Sequence, residues 1–274
     1  MTDIVADLHS HTTLSDGTMK PDEVTEYANK NALLAIAVTD HDRVQEFERP
    51  LARVNGVDII SGIELRVEPE SIGERVDVLG YGVTQSTRLQ TVLDRVQENR
   101  KERAEAMIDL IEEETGVRLS YSSTESTGRP NIARAIAENE NLEHSYGEAF
   151  NELIGNDCPC YLSREVPSFE LGVDVLRESC AFLSLAHPYR YDNTRDALKL
   201  SKRLDGVECI YPYDSQSGFT TEGLDELAID WFDLSITGGS DAHKPSSVGE
   251  AGLTKSHYEK FLDSAGLTYY SQHF

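Results

Sequence analysis

The stretch LLAIAVTDHD, Leu33–Asp42, is a near-continuous apolar run that ends in a cluster of titratable side chains. An apolar run without alternation suits a strand covered on both faces, as in parallel sheets. Similar runs recur on either side of it. IVADLH (Ile4–His9), VDIISGIEL (Val57–Leu65), VDVLGYGV (Val76–Val83), AFLSLAHP (Ala181–Pro188), GVECIY (Gly206–Tyr211) and LSITGGSDAH (Leu234–His243) all read as strands. Helical patterns lie between them. One is opened by Pro21, with Asp22 and Glu23 in its first turn, where the helix dipole favours acids. Others fall around Gln45–Val54 and at Phe169–Glu178, Arg195–Arg203 and Glu222–Trp231. Alternating strands and helices imply an α/β fold with a parallel sheet. An open doubly wound sheet and a closed barrel both satisfy the alternation.

The middle of the chain breaks this rhythm. Leu89–Glu114 is charged and helical with few turn residues, and Asn131–Glu138 and Glu148–Ile154 also read as helices. No strand-like run returns before Tyr161. The expectation is an α/β domain over residues 1–98 and 164–274, interrupted by a helical insertion over 99–163 that is able to act as a lid.

Composition narrows the function classes. The chain has 274 residues, of which 39% are hydrophobic, enough for a substantial core. No apolar run approaches the roughly 20 residues of a membrane-spanning helix. MTDIVADLHS lacks the basic and apolar regions of a signal peptide, so a cytoplasmic protein with no membrane partner is expected. The four cysteines, Cys158, Cys160, Cys180 and Cys209, form no C-x-x-C pair and are expected to be idle thiols. The formal charge is −24, from 49 acidic and 25 basic residues spread along the chain. Such a surface suits a halophilic source and disfavours tracking along duplex nucleic acid. A phosphate-bearing ligand then needs a local concentration of positive charge.

Candidate ligands for such a charge lie at the strand ends. His9 and His11 are two residues apart, so in a strand they share a face with Asp7. H-x-H alone is a weak metal signal, since surface histidines also pair in this way. Asp16 follows the first strand, His41 the second, and Glu64 ends the third. His187 follows AFLSLA, and Asp241 and His243 follow LSIT. In parallel α/β folds the C-terminal strand ends face one crevice, so these clusters are expected to converge.

DLHSHTTLSDG, TDHD, GIEL, AHPYR and GGSDAH resemble the successive motifs of the PHP (polymerase and histidinol phosphatase) superfamily of metal-dependent phosphoesterases. GRPNIARAIAE, AFNELIG and CPCYL are similar to its small stand-alone branch, which holds nucleotide phosphatases and a 5′→3′ exoribonuclease of the TrpH-like, ribonuclease AM type. The resemblance runs from about residue 5 to 250. It implies a distorted (βα)7 TIM-like barrel with three divalent ions at its C-terminal face. His9, His11, Glu64 and Asp241 are implied to hold the first ion. Glu64 and His187 are implied for the second, and Asp16, His41 and His243 for the third. Many relatives complete the second site with a histidine in a V-H-I-L-G-like strand. Here the strand reads VDVLGYG, which puts Asp77 in that place and shifts preference toward Mn²⁺ or Mg²⁺ over Zn²⁺. Mn²⁺ is the first expectation, with Zn²⁺, Fe²⁺ and Mg²⁺ as alternatives.

The activity implied is hydrolysis of phosphomonoester or phosphodiester bonds of nucleotides or short 5′-phosphorylated oligonucleotides by a metal-bound hydroxide. Arg129 in GRP and Arg190 in HPYR are the candidate phosphate clamps, since a guanidinium fork matches phosphate oxygens. His243, or a water, is the candidate proton donor to the leaving group. Asp7, Asp40 and Asp42 are candidates to orient imidazoles. Tyr189, Tyr191, Tyr211 and Tyr213 are read as rim packing or as stacking surfaces for a base. The competing readings are a histidinol-phosphate phosphatase, which the RPNIA segment disfavours, and a non-catalytic metal-binding module. The oligomeric state is left open.

Overall fold

The computed structural model describes residues 4–45, 49–84, 86–124, 127–213, 223–224, 228 and 234–268. It divides into two compact units, Met1–Gln90 with Pro167–Phe274, and Thr91–Val166.

The first unit is built on one mixed sheet. Its strands are β1 (Ile4–Asp7), β2 (Ala35–Val38), β3 (Leu51–Val54), β4 (Val57–Val67), β5 (Val76–Tyr81), β6 (Phe182–Leu185), β7 (Gly206–Ile210), β8 (Ser235–Gly238) and β9 (Leu253–Thr254). Neighbours run in the order β8, β7, β6, β5, β4, β2, β1, β9, with β3 beside β4. Every described residue of β2 and β5 is buried, as their unalternating sequences require. Past the end of β1 the chain meets the end of β8: Leu8 N–H donates to Gly238 O, and His11 N–H to Ala242 O. These bonds draw the two ends of the sheet together. The result is a mixed α/β fold with a nearly closed, barrel-shaped sheet.

The expectation of a purely parallel sheet is corrected. β5 runs antiparallel to both β4 and β6, whereas β1–β2, β2–β4, β6–β7 and β7–β8 are parallel. A short connection from β4 to β5 leaves no crossover helix, so the chain must turn back. The reversal brings the start of β5, not its end, to the same rim as the C-terminal ends of the parallel strands.

The helix expected around Gln45–Val54 is also corrected. Residues 46–48 lie outside the described residues, and Leu51–Val54 forms β3, paired antiparallel with β4. Asn55 and Gly56 turn the hairpin with φ of 53° and 84°. Positive φ at both central residues is what a tight two-residue hairpin turn needs, and Asn-Gly supplies it. That dipeptide was the signal for a hairpin.

The helices pack by their apolar faces. α1 (Val24–Lys30) begins three residues after Pro21. α2 (Thr87–Thr115), α3 (Arg129–Ala137) and α4 (Tyr146–Glu148) follow, the last running into a wide turn over Ala149–Ile154. α5 (Phe169–Ser179) is capped by the Ser168 side chain, which accepts from Leu171 N–H, and buries Phe169, Val173 and Leu176 at helical spacing. α6 (Thr194–Leu200) and α7 (Lys255–Ala265) complete the described helices. The helix expected at Glu222–Trp231 lies largely outside the described residues. Met19, Val24, Ala28, Ile36, Val38 and Val57 form a buried cluster between α1 and the sheet. Full burial of a side chain the size of Ile36 or Val38 contributes roughly 1.5–3 kcal/mol.

The second unit has its own core. Met107 and Ile111 of α2, Ile132 and Ile136 of α3, and Leu153, Ile154 and Cys160 are buried together. Among the described residues no helix is long and apolar enough to cross a membrane. All four cysteines are free.

Candidate metal centre

The rim where β1, β2, β4 and β8 end gathers the candidate ligands. His9 Nε2 lies 3.1 Å from His11 Nε2. Glu64 Oε2 is 3.5 Å from the first of these nitrogens and 3.3 Å from the second, and Asp241 Oδ1 is 3.5 and 3.0 Å from them. Four donors about 2.1 Å from a shared centre stand about 3.4 Å apart in a tetrahedron, or about 3.0 Å apart at right angles. Three of the five measured separations fall in that range, and the other two, at 3.5 Å, lie just beyond it. Two imidazole nitrogens facing each other at 3.1 Å are a poor hydrogen-bonded pair but suitable neighbours on one cation. His9, His11 and Asp241 offer atoms within 4.8 Å of one another, a set that fits a divalent ion, and Glu64 Oε2 lies beside both imidazoles.

A second group adjoins it. His11, Asp16, His41 and His243 offer atoms that all lie within 4.8 Å of one another. His243 Nε2 is 3.2 Å from Asp16 Oδ1, and His41 Nδ1 is 2.8 Å from Glu64 Oε2. Both carboxylate oxygens are buried, and their close neighbours are imidazole nitrogens. Buried carboxylates are costly unless paired, and a cation is the natural partner. This group also fits an ion.

The site is electrostatically tense. Burial alone would raise the pKa values of Asp16, Glu64 and Asp241. Imidazoles outweigh burial in each case: His41 at Asp16, His41 and His9 at Glu64, His9 and His11 at Asp241. All three carboxyls are therefore held well below their usual range. Burial lowers the His11 pKa, and the neighbouring His41 lowers it further, which keeps a lone pair available.

Glu64, Asp77 and His187 form the remaining group. His187 Nε2 is 3.0 Å from Glu64 Oε1 and 3.7 Å from Asp77 Oδ2. Asp77 stands opposite Arg66 in the β4–β5 register. The Arg66 guanidinium donates to both Asp77 oxygens, at 2.8 and 2.6 Å. The Arg66 charge, working against burial, holds the Asp77 carboxyl below its usual range. Asp77 is thus in the rim as expected, but its charge is already matched. The three offer atoms within 4.8 Å of one another, but both Asp77 oxygens are taken by Arg66.

Supporting residues fix the ligand rings. Glu208 on β7 is buried, takes His9 Nδ1 at 2.9 Å and accepts from His187 N–H at 2.8 Å. With Nδ1–H committed to Glu208, His9 Nε2 is left as the free lone pair. Sequence reasoning missed Glu208. Its only signal was an acid set in the otherwise apolar GVECI. His243 is oriented likewise, with Nδ1 2.8 Å from Asp241 O. Two of the three aspartates expected to orient imidazoles accept instead from backbone amides and hydroxyls. Asp7 accepts from the N–H groups of His9, Ser240 and Gly249. Asp40 accepts from Thr12 N–H, Thr12 Oγ1 and Ser15 Oγ, which fixes the loop before Asp16. Asp42 N–H donates to Glu64 O.

Backbone conformation is specialised here too. His187 and Asp241 have φ of 25° and 50°, uncommon for residues with side chains. At Gly239 a Cβ would come 2.3 Å from His9 N, so only glycine allows the end of β8 to lie against His9.

Of the two candidate clamps, Arg190 lies at the rim. Its Nη1 donates to Asp241 Oδ2 at 3.2 Å and to Tyr211 Oη at 3.0 Å, and Tyr211 donates to Asp241 Oδ2 at 2.8 Å. Arg129 belongs to the second unit, where it donates to Asn156 Oδ1 at 3.0 Å and lies over the Phe150 and Tyr161 rings. Tyr191 is buried, and its hydroxyl accepts from Asp77 N–H. The Tyr189 and Tyr213 rings are 5.4 Å apart, and Tyr211 and Tyr213 4.7 Å.

The PHP domain family matches residues 7–158. The chain is 25% identical over 265 residues to a protein of Haemophilus influenzae named 5′-3′ exoribonuclease, covering 90% of this chain and 92% of that one. It is 28% identical over 267 residues to a 3′,5′-nucleoside bisphosphate phosphatase of Chromobacterium violaceum, covering 92% and 91%. A solved structure from Bifidobacterium adolescentis, assigned as a metal-dependent phosphoesterase, shares the fold with a TM-score of 0.74 at 22% identity, over 95% of this chain and 96% of that one.

Proposed function

This chain belongs to the PHP domain family, and from that premise we propose that it is a metal-dependent phosphoesterase acting on nucleotides or short 5′-phosphorylated oligonucleotides. The observation that carries the reading is the packing of His9, His11, Glu64 and Asp241 at ligand-edge separations. Divalent ions held there by these residues would lower the pKa of water and neutralise phosphoryl oxygens.

The chain's own residues supply the rest. Glu208 and the Asp241 carbonyl fix the His9 and His243 tautomers, which points the Nε2 lone pairs into the site. His243 serves in this reading as a ligand, and the leaving group takes its proton from water. Arg190, half-exposed beside Asp241, is placed to grip a phosphate oxygen as substrate enters. Two or three convergent cations and Arg190 give the rim a positive focus on a molecule whose formal charge is −24. The acidic surface disfavours a long polyanion and favours small substrates.

A panel assay in Mn²⁺ tests the proposal. It compares a 3′,5′-bisphosphonucleotide, nucleoside monophosphates, short 5′-phosphorylated RNA and histidinol phosphate. Turnover of one or more of the nucleotide substrates is expected. Turnover confined to histidinol phosphate, or none at all, would overturn it.

A further inference from the structure

We propose that this protein holds two divalent ions rather than the three its family resemblance implies, because the Arg66 guanidinium occupies the Asp77 carboxylate that the third ion would need. The inference rests on the metal-dependent reading above. Its basis is the Arg66–Asp77 pair on β4 and β5.

Arg66 lies two residues after Glu64 on one strand, so both side chains point to the same face. Asp77 is the cross-strand partner of Arg66. Directly opposed residues in an antiparallel ladder share a face, so the guanidinium reaches Asp77 without a bend in either strand. Both Asp77 oxygens accept from it. A carboxylate gripped in this bidentate way contributes no net negative charge to a neighbouring dication. The guanidinium itself would repel one.

The rest of the group cannot compensate. His187 as a ligand is neutral and adds no negative charge. Glu64 is shared with the first group, where its Oε2 faces His9 and His11. The contrast with Asp16 Oδ1 and Glu64 Oε2 is direct. Those buried oxygens face only imidazole nitrogens, themselves candidate ligands, whereas both Asp77 oxygens are gripped by a guanidinium, which cannot ligate.

The test is the metal content of the purified, Mn²⁺-loaded protein after gel filtration, read by elemental analysis. About two ions per chain are expected for the native protein. Arg66→Gln frees Asp77 and is expected to raise the number to about three. Asp77→Asn, which removes the proposed non-ligand, is expected to leave it at about two. Three ions in the native protein, falling to two in Asp77→Asn, would overturn the inference while the metal-dependent reading stands. An unchanged number in a folded Arg66→Gln variant would also overturn it. No retained ion in the native protein would overturn both readings.

Discussion

The carboxylate of Glu208 lies 2.9 Å from His9 Nδ1, and both groups are fully buried. The pair fixes which imidazole nitrogen faces the rim. Removing the partner of a metal-ligating histidine commonly weakens metal affinity by about 10–100-fold. Glu208→Ala is therefore expected to raise the Mn²⁺ concentration needed for half-maximal activity by roughly that factor. Metal titration of the chelator-treated protein checks it. An unchanged titration would show that Glu208 only fills space.

Gly239 approaches His9 too closely for any side chain. Gly239→Ala forces β1 and the end of β8 apart. Overpacking of this kind costs roughly 1–3 kcal/mol, and the shift falls on a ligand. The variant is expected to show both a lower Tm and weaker Mn²⁺ binding. A lower Tm with normal metal affinity would mean that the strain relaxes away from His9.

Arg190 reaches Asp241 and Tyr211 through Nη1. If it grips the substrate phosphate, Arg190→Ala should raise KM for a nucleotide substrate by roughly 10-fold or more, since hydrogen bonds to charged groups are worth about 1.5–3 kcal/mol. Arg190→Lys should restore part of the loss, because the charge returns without the fork. Steady-state kinetics separates these outcomes from a change in kcat alone, which would place Arg190 elsewhere in the reaction.

The acidic excess predicts salt dependence. Self-repulsion at a formal charge of −24 weakens as salt screens it. Between 0.1 and 2 M KCl the Tm is expected to rise by at least about 2–4 °C, equivalent to roughly 1 kcal/mol for a protein of this size. A thermal melt series checks it. A Tm that is flat or falls with salt would count against salt adaptation.

Much of this arrangement was legible in the sequence because metal chemistry needs particular residue types at strand ends. His9, His11, His41, Glu64 and Asp241 stood out by identity and by position after apolar runs, and they converge in space. Supports were harder to read. Glu208 has no spacing partner, and its role exists only once the folded sheet brings β7 within reach of His9. Asp7 and Asp40 lie near ligands in the chain yet spend their oxygens on backbone amides and hydroxyls, which sequence distance cannot separate from imidazole contacts. The β3–β4 hairpin was signalled by Asn55-Gly56, but the polar flank of β3 gave a helical pattern more weight. Arg66 was overlooked because β5 was expected to run parallel. Its reversal sets Arg66 opposite Asp77.

The most direct test of the central claim is nucleotide phosphate hydrolysis by chelator-treated native protein and by His11→Ala, each measured with and without added Mn²⁺. His11 belongs to both ion-binding groups that fit. Native protein is expected to be inactive without metal and to recover with Mn²⁺, while His11→Ala stays at least about 100-fold lower at saturating metal, the loss of more than about 2.7 kcal/mol of transition-state stabilisation. Full activity after chelation, or a His11→Ala variant as active as the native protein, would contradict the account.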